Sequence, residues 1–484
     1  MPYTEANYEN AVMILLGDLG YTCLYGPDIE RDFRNPLYMD ALSAALPRIN
    51  SNADEQAVEE AVYKLTHIDH GTLIQQNKQF MDWLQNGVEV SYQKHGETKH
   101  EIVRIIDYTN PSNNRFHAIN QWTIIENETK RPDVIIFVNG IPLVVVELKS
   151  CSREETDFSD GYRQIKNYMH EIPSLFQYNA FCIISDLVDS KVGTITAGFD
   201  RFVDWKTIDG NYEETQFARY DVLFNGMLEQ SRFLGILRHF ILFSQDTPED
   251  KKILAGYHQF FAVRKAVEST ERATKTDGKG GVFWHTQGSG KSLSMVFYAG
   301  LLQQALDSPT IVVITDRNDL DEQLYGQFAA CKDFLRQTPE HAQNREHLKE
   351  LLDDRQANGI FFSTMQKFEE TAEPLSERHN IIVMADEAHR SQYGLSERVK
   401  ADGTLVIGAA RIIRESLPNA TFIGFTGTPV SSKDRNTREV FGEYIDIYDM
   451  TQAVEDGATR PVYYESRVMN LGLKEDVLIR HTSY

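Results

Sequence analysis

Cysteine is scarce in this chain, which has four cysteines among 484 residues. Cys23, Cys151, Cys182 and Cys331 are widely separated and form no Cys-x-x-Cys pair. This spacing argues against a disulfide framework and against a cysteine zinc site. It is typical of a protein of the reducing cytoplasm.

Long hydrophobic runs are also missing. No apolar run approaches the ~18 residues that a membrane-spanning helix needs, and no basic N-terminal region is followed by an apolar one. The sequence therefore predicts neither export nor a membrane span. A hydrophobic content of 41% and a charged content of 25% are those of a globular protein, and the length predicts about two to four domains.

Positive charge is in deficit, because 49 Lys and Arg face 71 Asp and Glu and leave a net charge of −22. Affinity for duplex DNA comes largely from Lys and Arg that neutralise phosphates. Any contact with DNA must therefore use local basic patches or a partner that holds the DNA.

The N-terminal part of the chain mixes helix and strand patterns. TEANYENAVMILLGDLGY predicts an opening helix with Thr4 as N-cap and Gly20 as its stop. A strand-rich region over 120–150 is followed by a helix in DGYRQIKNYM and a buried strand in NAFCIISD. The polar stretch SQDTPEDKK (244–252) is the best candidate linker, so we place a domain boundary near 248.

Five short β-rich runs after this linker alternate with polar or helical sequence: GVFW, TIVVIT, GIFFST, NIIVMAD and ATFIGFT. Strands that alternate with helices predict a parallel sheet covered by helices on both faces.

GVFWHTQGSGKSLSMVFYAGLLQQAL reads as a strand, a glycine-rich turn and a helix, which is the pattern of a phosphate-binding loop. Lys291 would reach the β- and γ-phosphates of ATP, and Ser292 would hold Mg²⁺. The strict pattern has a glycine where this chain has His285. A flexible turn before a helix is the alternative. The candidate loop residues are Gln287, Gly288, Ser289, Gly290, Lys291 and Ser292.

Asp386 and Glu387 directly follow the apolar run of NIIVMADEAHR, at the strand end where open α/β sheets bind ligands. Asp386 would orient Mg²⁺, and Glu387 would polarise the attacking water. The alternative is a solvated strand end.

A second constellation lies upstream, in RPDVIIFVNGIPLVVVELK. Asp133 and Glu147 would hold Mg²⁺, and Lys149 would position or deprotonate a water. Asn139–Gly140 predicts a hairpin turn. A strict two-residue turn would put Asp133 on the wrong face for Glu147, so we predict either a three-residue loop or one bulge. Charged strand ends are the alternative.

Two further pairs stand four residues apart on predicted helices. Gln164 and Tyr168 share a helical face after the Glu-x-Lys motif. On the first helix, Glu5 or Glu9 could supply another metal-site carboxylate, although a solvated helix face is the preferred explanation for this pair.

These motifs resemble two superfamilies. Asp133, Glu147 and Lys149, with Gln164 and Tyr168, resemble the RecB-like branch of the PD-(D/E)xK nucleases. The phosphate loop and DEAH motif resemble superfamily 2 helicases and translocases. In that superfamily, segments like 314–324 and 363–368 contact DNA, and a TGTP motif couples nucleotide state to DNA; Thr426, Gly427 and Thr428 match it. Gln259 resembles the glutamine that reads adenine, with a surface helix residue as the alternative.

A RecB-like nuclease followed by a superfamily 2 motor resembles the R subunit of type I restriction enzymes over nearly the whole chain. The resemblance implies an α/β fold with a PD-(D/E)xK nuclease domain (1–247), a first RecA-like lobe with a parallel doubly wound sheet (248–460), and a run-in to a second lobe (461–484). It further implies ATP and Mg²⁺ as cofactors. The implied partners are duplex DNA and methyltransferase and specificity subunits, with no membrane.

One feature departs from that family. No second lobe and no later motif follow TGTP before Tyr484, and the C-terminal helical region that docks to the methyltransferase is missing. We therefore interpret the chain as a fragment, a truncated product or half of a split subunit. Two alternatives are a stand-alone nuclease or translocase of DNA repair, and an inactive remnant that binds ATP or DNA without turnover.

Overall fold

The computed structural model describes residues 5–69, 71–149, 158–186, 188–211, 220–316, 318–368, 373–388, 398–399, 405–406, 409–428 and 435–460. Its α-helices are α1 (Glu5–Asp18), α2 (Met39–Ile49), α3 (Glu55–Thr66), α4 (Leu73–Asn86), α5 (Phe158–Glu171), α6 (Pro173–Phe176), α7 (Tyr220–Leu228), α8 (Gln230–His239), α9 (Tyr257–Ala273), α10 (Lys291–Ala305), α11 (Asn318–Ala330), α12 (Lys332–Leu335), α13 (Arg345–Asp353), α14 (Ala409–Ser416), α15 (Arg435–Phe441) and α16 (Met450–Glu455).

The strands are β1 (Thr22–Tyr25), β2 (Val88–Lys94), β3 (Glu97–Val103), β4 (Phe116–Asn120), β5 (Ile124–Ile125), β6 (Thr129–Lys130), β7 (Val134–Val138), β8 (Ile141–Leu148), β9 (Phe181–Ser185), β10 (Ser190–Gly193), β11 (Val203–Asp204), β12 (Ile241–Ser244), β13 (Lys251–Leu254), β14 (Lys279–His285), β15 (Thr310–Thr315), β16 (Glu340–His341), β17 (Ile360–Thr364), β18 (Ile381–Ala385), β19 (Arg398–Val399), β20 (Leu405–Val406), β21 (Thr421–Thr426) and β22 (Tyr444–Tyr448).

The first large sheet is mixed and has the strand order β1-β4-β7-β8-β9-β10-β11. Both of its faces are covered, because alternate residues of β7 enter two different cores. Val134 and Ile136 pack in the core that includes α1, whereas Ile135 and Phe137 pack in the core that includes α5. Burial on both faces explains why the sequences of β7 and β8 are each nearly all apolar, without the alternation of apolar and polar residues seen in strands with one exposed face.

The hairpin between β7 and β8 turns on two residues with positive φ, Asn139 at 52° and Gly140 at 82°, as a tight hairpin turn requires. The pairing starts as Val138 with Ile141 and Phe137 with Pro142, then shifts so that Val134 pairs with Val146. The shift leaves Leu143 without a partner in β7. Of the two predicted alternatives, the bulge is the one that the structure contains, and it brings Asp133 opposite Glu147.

The second large sheet is entirely parallel, in the order β16-β17-β15-β18-β21-β14-β22. The five predicted runs are its central strands β14, β15, β17, β18 and β21. The prediction of a parallel sheet is confirmed, and the edge strands β16 and β22 were not expected.

The segment predicted as a linker is instead part of an antiparallel β-hairpin formed by β12 and β13. Lys252 on β13 is 3% exposed, and its Nζ lies 2.8 Å from Asn77 Oδ1 and 2.5 Å from the carbonyl oxygen of Asn179. The polar sequence suggested a linker, but Lys252 is buried among hydrogen-bond acceptors that belong to the preceding half of the chain.

The opening helix α1 ends at Asp18, and the predicted stop Gly20 lies two residues later with a φ of +88°. The amide of Gly20 bonds the carbonyl of Gly17, and that of Tyr21 bonds Leu16, which together close a Schellman motif. The predicted N-cap Thr4 lies outside the described residues. None of the helices in the described ranges has the length and apolar character needed to traverse a bilayer.

Candidate active sites

Strands β7 and β8 bring the three residues of the first candidate site together. Asp133 precedes β7, Glu147 lies near the end of β8, and Lys149 follows β8. Asp133 Oδ2 accepts a hydrogen bond from the amide of Leu148 at 2.7 Å, and Lys149 Nζ donates to Glu147 Oε1 at 2.6 Å. The two carboxylates and the ammonium group therefore surround the end of one strand.

Burial raises the pKa of Asp133 to about 8, with a further contribution from the charge of Glu147. Burial also raises the pKa of Glu147, against the opposing effect of Lys149. For Lys149, burial lowers the pKa, but the carboxylates of Glu147 and Asp133 outweigh burial and raise it. The carboxyl groups of Asp133 and Glu147 therefore hold their protons more tightly than usual. A bound cation would stabilise their ionised forms.

Helix α5 contributes Tyr168, which is 5% exposed. Burial raises the pKa of Tyr168, as do the charges of Glu147 and Asp133, and its hydroxyl faces Gln164 and Glu147. The helix thus brings Tyr168 to Glu147, with Gln164 beside the tyrosine hydroxyl.

The two glutamates of α1 have different surroundings. Glu5 lies close enough to the site for its charge to raise the pKa values of Asp133, Glu147 and Lys149. Glu9 instead accepts hydrogen bonds from Asn120 Nδ2 at 2.5 Å and Gln121 Nε2 at 2.8 Å. Of the two candidates, the structure places Glu5 toward the site.

The site has an atom suited to a metal ion. Glu147 Oε2 is buried and makes no hydrogen bond within the described residues. A buried carboxylate oxygen without a hydrogen bond is costly unless a ligand satisfies it, and Mg²⁺ takes oxygen ligands. Among the described residues, no group of three or more His, Cys, Asp or Glu side chains is placed so that it could hold a metal ion.

The second candidate site lies at the carboxyl end of the parallel sheet, between β14 and α10. Gly288 and Gly290 have φ values of +84° and +82°, and a Cβ added at Gly290 would lie 2.8 Å from Gln259 Nε2. Ser292 is half-buried in the first turn of α10, and Ser289 Oγ is buried without a hydrogen bond to described residues. The turn therefore has the glycines and the unsatisfied polar atom expected of a phosphate-binding loop.

Lys291 is paired with both acidic residues of the DEAH motif. Its Nζ bonds Asp386 Oδ1 and lies 3.3 Å from Glu387 Oε1. Asp386 follows β18, and Glu387 has a φ of +53°, a conformation that non-glycine residues adopt at a cost. The structure thus brings together the three charged residues that the sequence assigns to one nucleotide site.

Gln259 is 6% exposed, so the surface alternative is wrong. Its Oε1 accepts from the Gly256 amide at 3.0 Å, and its Nε2 donates to the Gly290 carbonyl at 3.1 Å and to Ser294 Oγ at 3.3 Å. The side-chain amide of Gln259 therefore binds the phosphate loop. A contact of Gln259 with adenine stays a prediction.

The remaining predicted motor residues surround the loop. Thr426 Oγ1 donates to the Thr428 carbonyl at 3.1 Å, and a Cβ at Gly427 would lie 3.1 Å from Gln287 Cγ. The TGTP turn therefore packs against the phosphate loop, although Pro429 lies outside the described residues.

Two segments, 314–324 and 363–368, resemble DNA-contacting motifs. They begin in the last two residues of the neighbouring strands β15 and β17 and continue beyond them. Gln366 Nε2 of the second segment donates a hydrogen bond to the Asp316 carbonyl of the first at 3.0 Å. Residue 317, within the first segment, lies outside the described residues.

Polar residues that lie behind the loop were not predicted from the sequence. His285, which replaces a glycine of the strict pattern, is fully buried, with Nε2 3.3 Å from Asp446 Oδ1. His258 contacts the loop directly, with Nε2 3.0 Å from the Ser289 carbonyl oxygen. The one feature of the sequence that could have identified His258 is its position beside Gln259. No feature pointed to Asp446, because β22 was not predicted.

Two family models match the chain. Residues 2–201 match the N terminus of type I restriction enzyme R proteins, and residues 258–483 match SWI2/SNF2 ATPases.

Among curated proteins, the chain is 43% identical to the type I restriction enzyme HindI endonuclease subunit of Haemophilus influenzae, over 97% of this chain and 47% of that protein. It is 34% identical to a protein assigned as the type I restriction enzyme MjaIXP endonuclease subunit of Methanocaldococcus jannaschii, over 97% of this chain and 46% of the relative. The chain spans about half the length of the curated relatives it matches.

A solved fragment assigned to an HsdR subunit of a type I restriction enzyme from Vibrio vulnificus is 18% identical, with a TM-score of 0.28 over 70% of this chain and 56% of the fragment.

Proposed function

This chain belongs to the family of type I restriction enzyme R proteins, and we propose that it carries the nuclease and the first motor lobe of such a subunit. The observation that supports the proposal most is the pairing of two sites in one chain. Asp133, Glu147 and Lys149 surround the end of β8, and Lys291, Asp386 and Glu387 meet at the end of the parallel sheet.

In the nuclease site, Asp133 and Glu147 would hold Mg²⁺, with Glu5 as an additional carboxylate. When bound, Mg²⁺ would polarise the phosphodiester and lower the pKa of a water ligand. Lys149 Nζ lies 2.6 Å from Glu147 Oε1, so it is placed to position or deprotonate a water beside the metal ligands.

The nuclease assignment is tested by cleavage of duplex DNA with Mg²⁺ by the chain and by its Asp133→Asn and Lys149→Ala variants. Both variants should lose cleavage and still bind nucleotide. Lys191→Ala is a matched control, since Lys191 lies in the same sheet and pairs with Asp204 at 3.5 Å. Cleavage at the normal rate by either site variant would exclude this assignment.

In the motor site, the loop amides, Lys291 and Ser292 would bind the phosphates and Mg²⁺ of ATP, with Asp386 orienting the metal. Glu387 would hold the attacking water and take no part in ground-state binding. Consequently Lys291→Ala should abolish binding of Mg²⁺–ATP, whereas Glu387→Gln should retain it and reduce phosphate release. Equal loss of binding in both variants would contradict the role given to Glu387.

The finer function that we propose is ATP-driven translocation of duplex DNA with cleavage away from the recognition site, in a complex with methyltransferase and specificity subunits. Partner subunits that recognise the target would also account for the net charge of −22, since they would carry much of the contact with DNA. Co-purification of the chain with both subunits tests this. A chain that cleaves DNA but binds neither subunit would favour the alternative of a stand-alone repair nuclease, whereas a chain that neither cleaves DNA nor releases phosphate from ATP would be the inactive remnant.

A further inference from the structure

We propose that His258 is a positioning residue for the phosphate loop, an inference that rests on the proposed ATP site. His258 Nε2 lies 3.0 Å from the carbonyl oxygen of Ser289. A carbonyl can only accept a hydrogen bond, so Nε2 carries the proton and donates it. In a trans peptide the C=O and N–H groups point in opposite directions. Holding the Ser289 carbonyl therefore directs the N–H of Gly290 away from His258, to the side where a phosphate would accept it.

The neighbouring residue does the same for the next peptide. Gln259 Nε2 donates to the Gly290 carbonyl at 3.1 Å, which directs the N–H of Lys291 in the same sense. Two consecutive side chains of the first turn of α9 thus hold two consecutive peptides of the loop. Preorganised amides bind an anion without the cost of ordering them at the moment of binding.

The imidazole ring of His258 is itself held in place. It stacks on Tyr448 with ring centroids 4.2 Å apart and an angle of 10° between the planes. The Tyr448 hydroxyl donates to Asp456 Oδ2 at 2.6 Å. Position 256 leaves room for the ring, because a Cβ added at Gly256 would lie 2.9 Å from His258 Cε1.

The surroundings of the ring keep it neutral. Burial, and next the nearby His285, lower the pKa of His258 to about 4, against the effects of the Ser289 carbonyl, Asp456 and Asp446. Asp446 is already paired, with Lys265 Nζ at 2.8 Å and His285 Nε2 at 3.3 Å. His258 therefore orients the loop through one neutral N–H and leaves Lys291 as the charged group of the loop.

Two substitutions separate the hydrogen bond from the ring. His258→Phe keeps an aromatic ring against Tyr448 and loses the donor, whereas His258→Gln loses the ring and keeps an amide N–H at about the reach of Nε2. His67→Phe is the matched control, because His67 also stacks on a tyrosine, Tyr63, at 4.3 Å and lies at the end of α3 in the first half of the chain. The affinity of each variant is measured with a fluorescent ATP analogue plus Mg²⁺, with competition by ATP and by adenosine.

We expect His258→Phe to weaken ATP binding about tenfold, the equivalent of one neutral hydrogen bond, and to leave adenosine binding unchanged. His258→Gln and His67→Phe should stay within about threefold of the unsubstituted chain. Equal ATP affinity in the phenylalanine variant overturns the inference, and so does a parallel loss of adenosine binding or an equal loss in a folded glutamine variant. Absence of ATP binding in the unsubstituted chain would overturn the proposed nucleotide site as well, which distinguishes the two failures.

Discussion

Glu5 and Glu9 lie one turn apart on α1, and their surroundings assign them different tasks. Glu5 is exposed and acts on the nuclease site through its charge, whereas both oxygens of Glu9 accept hydrogen bonds from Asn120 and Gln121. We expect Glu5→Gln to lower Mg²⁺-dependent cleavage without changing thermal stability. Glu9→Gln should cleave normally and lose about 1 kcal/mol of stability, because one acceptor becomes a donor. Cleavage rates and melting curves of the two variants check this, and normal cleavage by Glu5→Gln would remove Glu5 from the site.

Single residues also show where sequence reasoning ends. The cluster of Asp133, Glu147 and Lys149 was predicted from a hairpin of two strands, whereas the meeting of Lys291 with the DEAH acids was predicted from a glycine-rich loop and a strand end. Gln259 was left undecided because one glutamine reads alike on a surface and in a core. His258 was missed because its role depends on a carbonyl 31 positions away, and no local pattern reports that contact.

At the scale of the element, the β7–β8 hairpin depends on Gly140. A Cβ at this position would lie 2.4 Å from the Tyr38 carbonyl oxygen and 2.6 Å from the Leu42 amide nitrogen, and φ is +82°. Since the obstacles are backbone atoms and the conformation is unfavourable for alanine, Gly140→Ala should lower the free energy of unfolding by about 3 kcal/mol or more. Gly96→Ala in the turn between β2 and β3 is a control with a φ of +82° and no atom within 4 Å. Equal destabilisation by the two changes would show that backbone conformation alone accounts for the effect.

The β12–β13 hairpin carries a pH dependence. Burial lowers the pKa of Lys252 to about 7 from an ordinary value of 10.5. Between these values the unfolded chain holds a proton that the folded chain does not, so stability should rise with pH across this window. Lys252→Met should flatten that rise, whereas the adjacent and exposed Lys251→Met should preserve it. Melting temperatures at about pH 7 and pH 10 measure both slopes, and identical slopes for the two variants would contradict the prediction.

Elements were predicted unevenly, for physical reasons. The alternation of side chains along β7 and β8 required either a three-residue loop or a bulge, and the sequence could neither choose between the two nor identify Leu143 as the extra residue. The polar stretch at 244–252 resembles a linker in composition, yet tertiary contacts with Asn77 and Asn179 fix Lys252 in a strand. Edge strands β16 and β22 were not predicted, because short strands with several polar residues show little alternation between apolar and polar residues.

At the scale of the whole molecule, the described residues place the two candidate sites on separate sheets with their own ligands. We expect this chain to cleave duplex DNA with Mg²⁺ whether or not ATP is present, because the proposed nuclease ligands Asp133 and Glu147 belong to one sheet and the proposed nucleotide ligands belong to the other. A cleavage assay with and without ATP, beside a phosphate-release assay, tests this, and cleavage only in the presence of ATP would contradict it.

The ion pairs of Lys291 with Asp386 and Glu387 have a thermodynamic consequence. Without ligand, the ammonium group of Lys291 is paired with the carboxylates of Asp386 and Glu387, so a triphosphate and a divalent cation each face a competitor already in place. Binding of the cation to Asp386 would release the lysine for the triphosphate, and binding of the triphosphate to Lys291 would release Asp386 for the cation. Each ligand thereby removes the competitor of the other, so their affinities should be reciprocally linked, and the site should respond to the two together far more than to either alone.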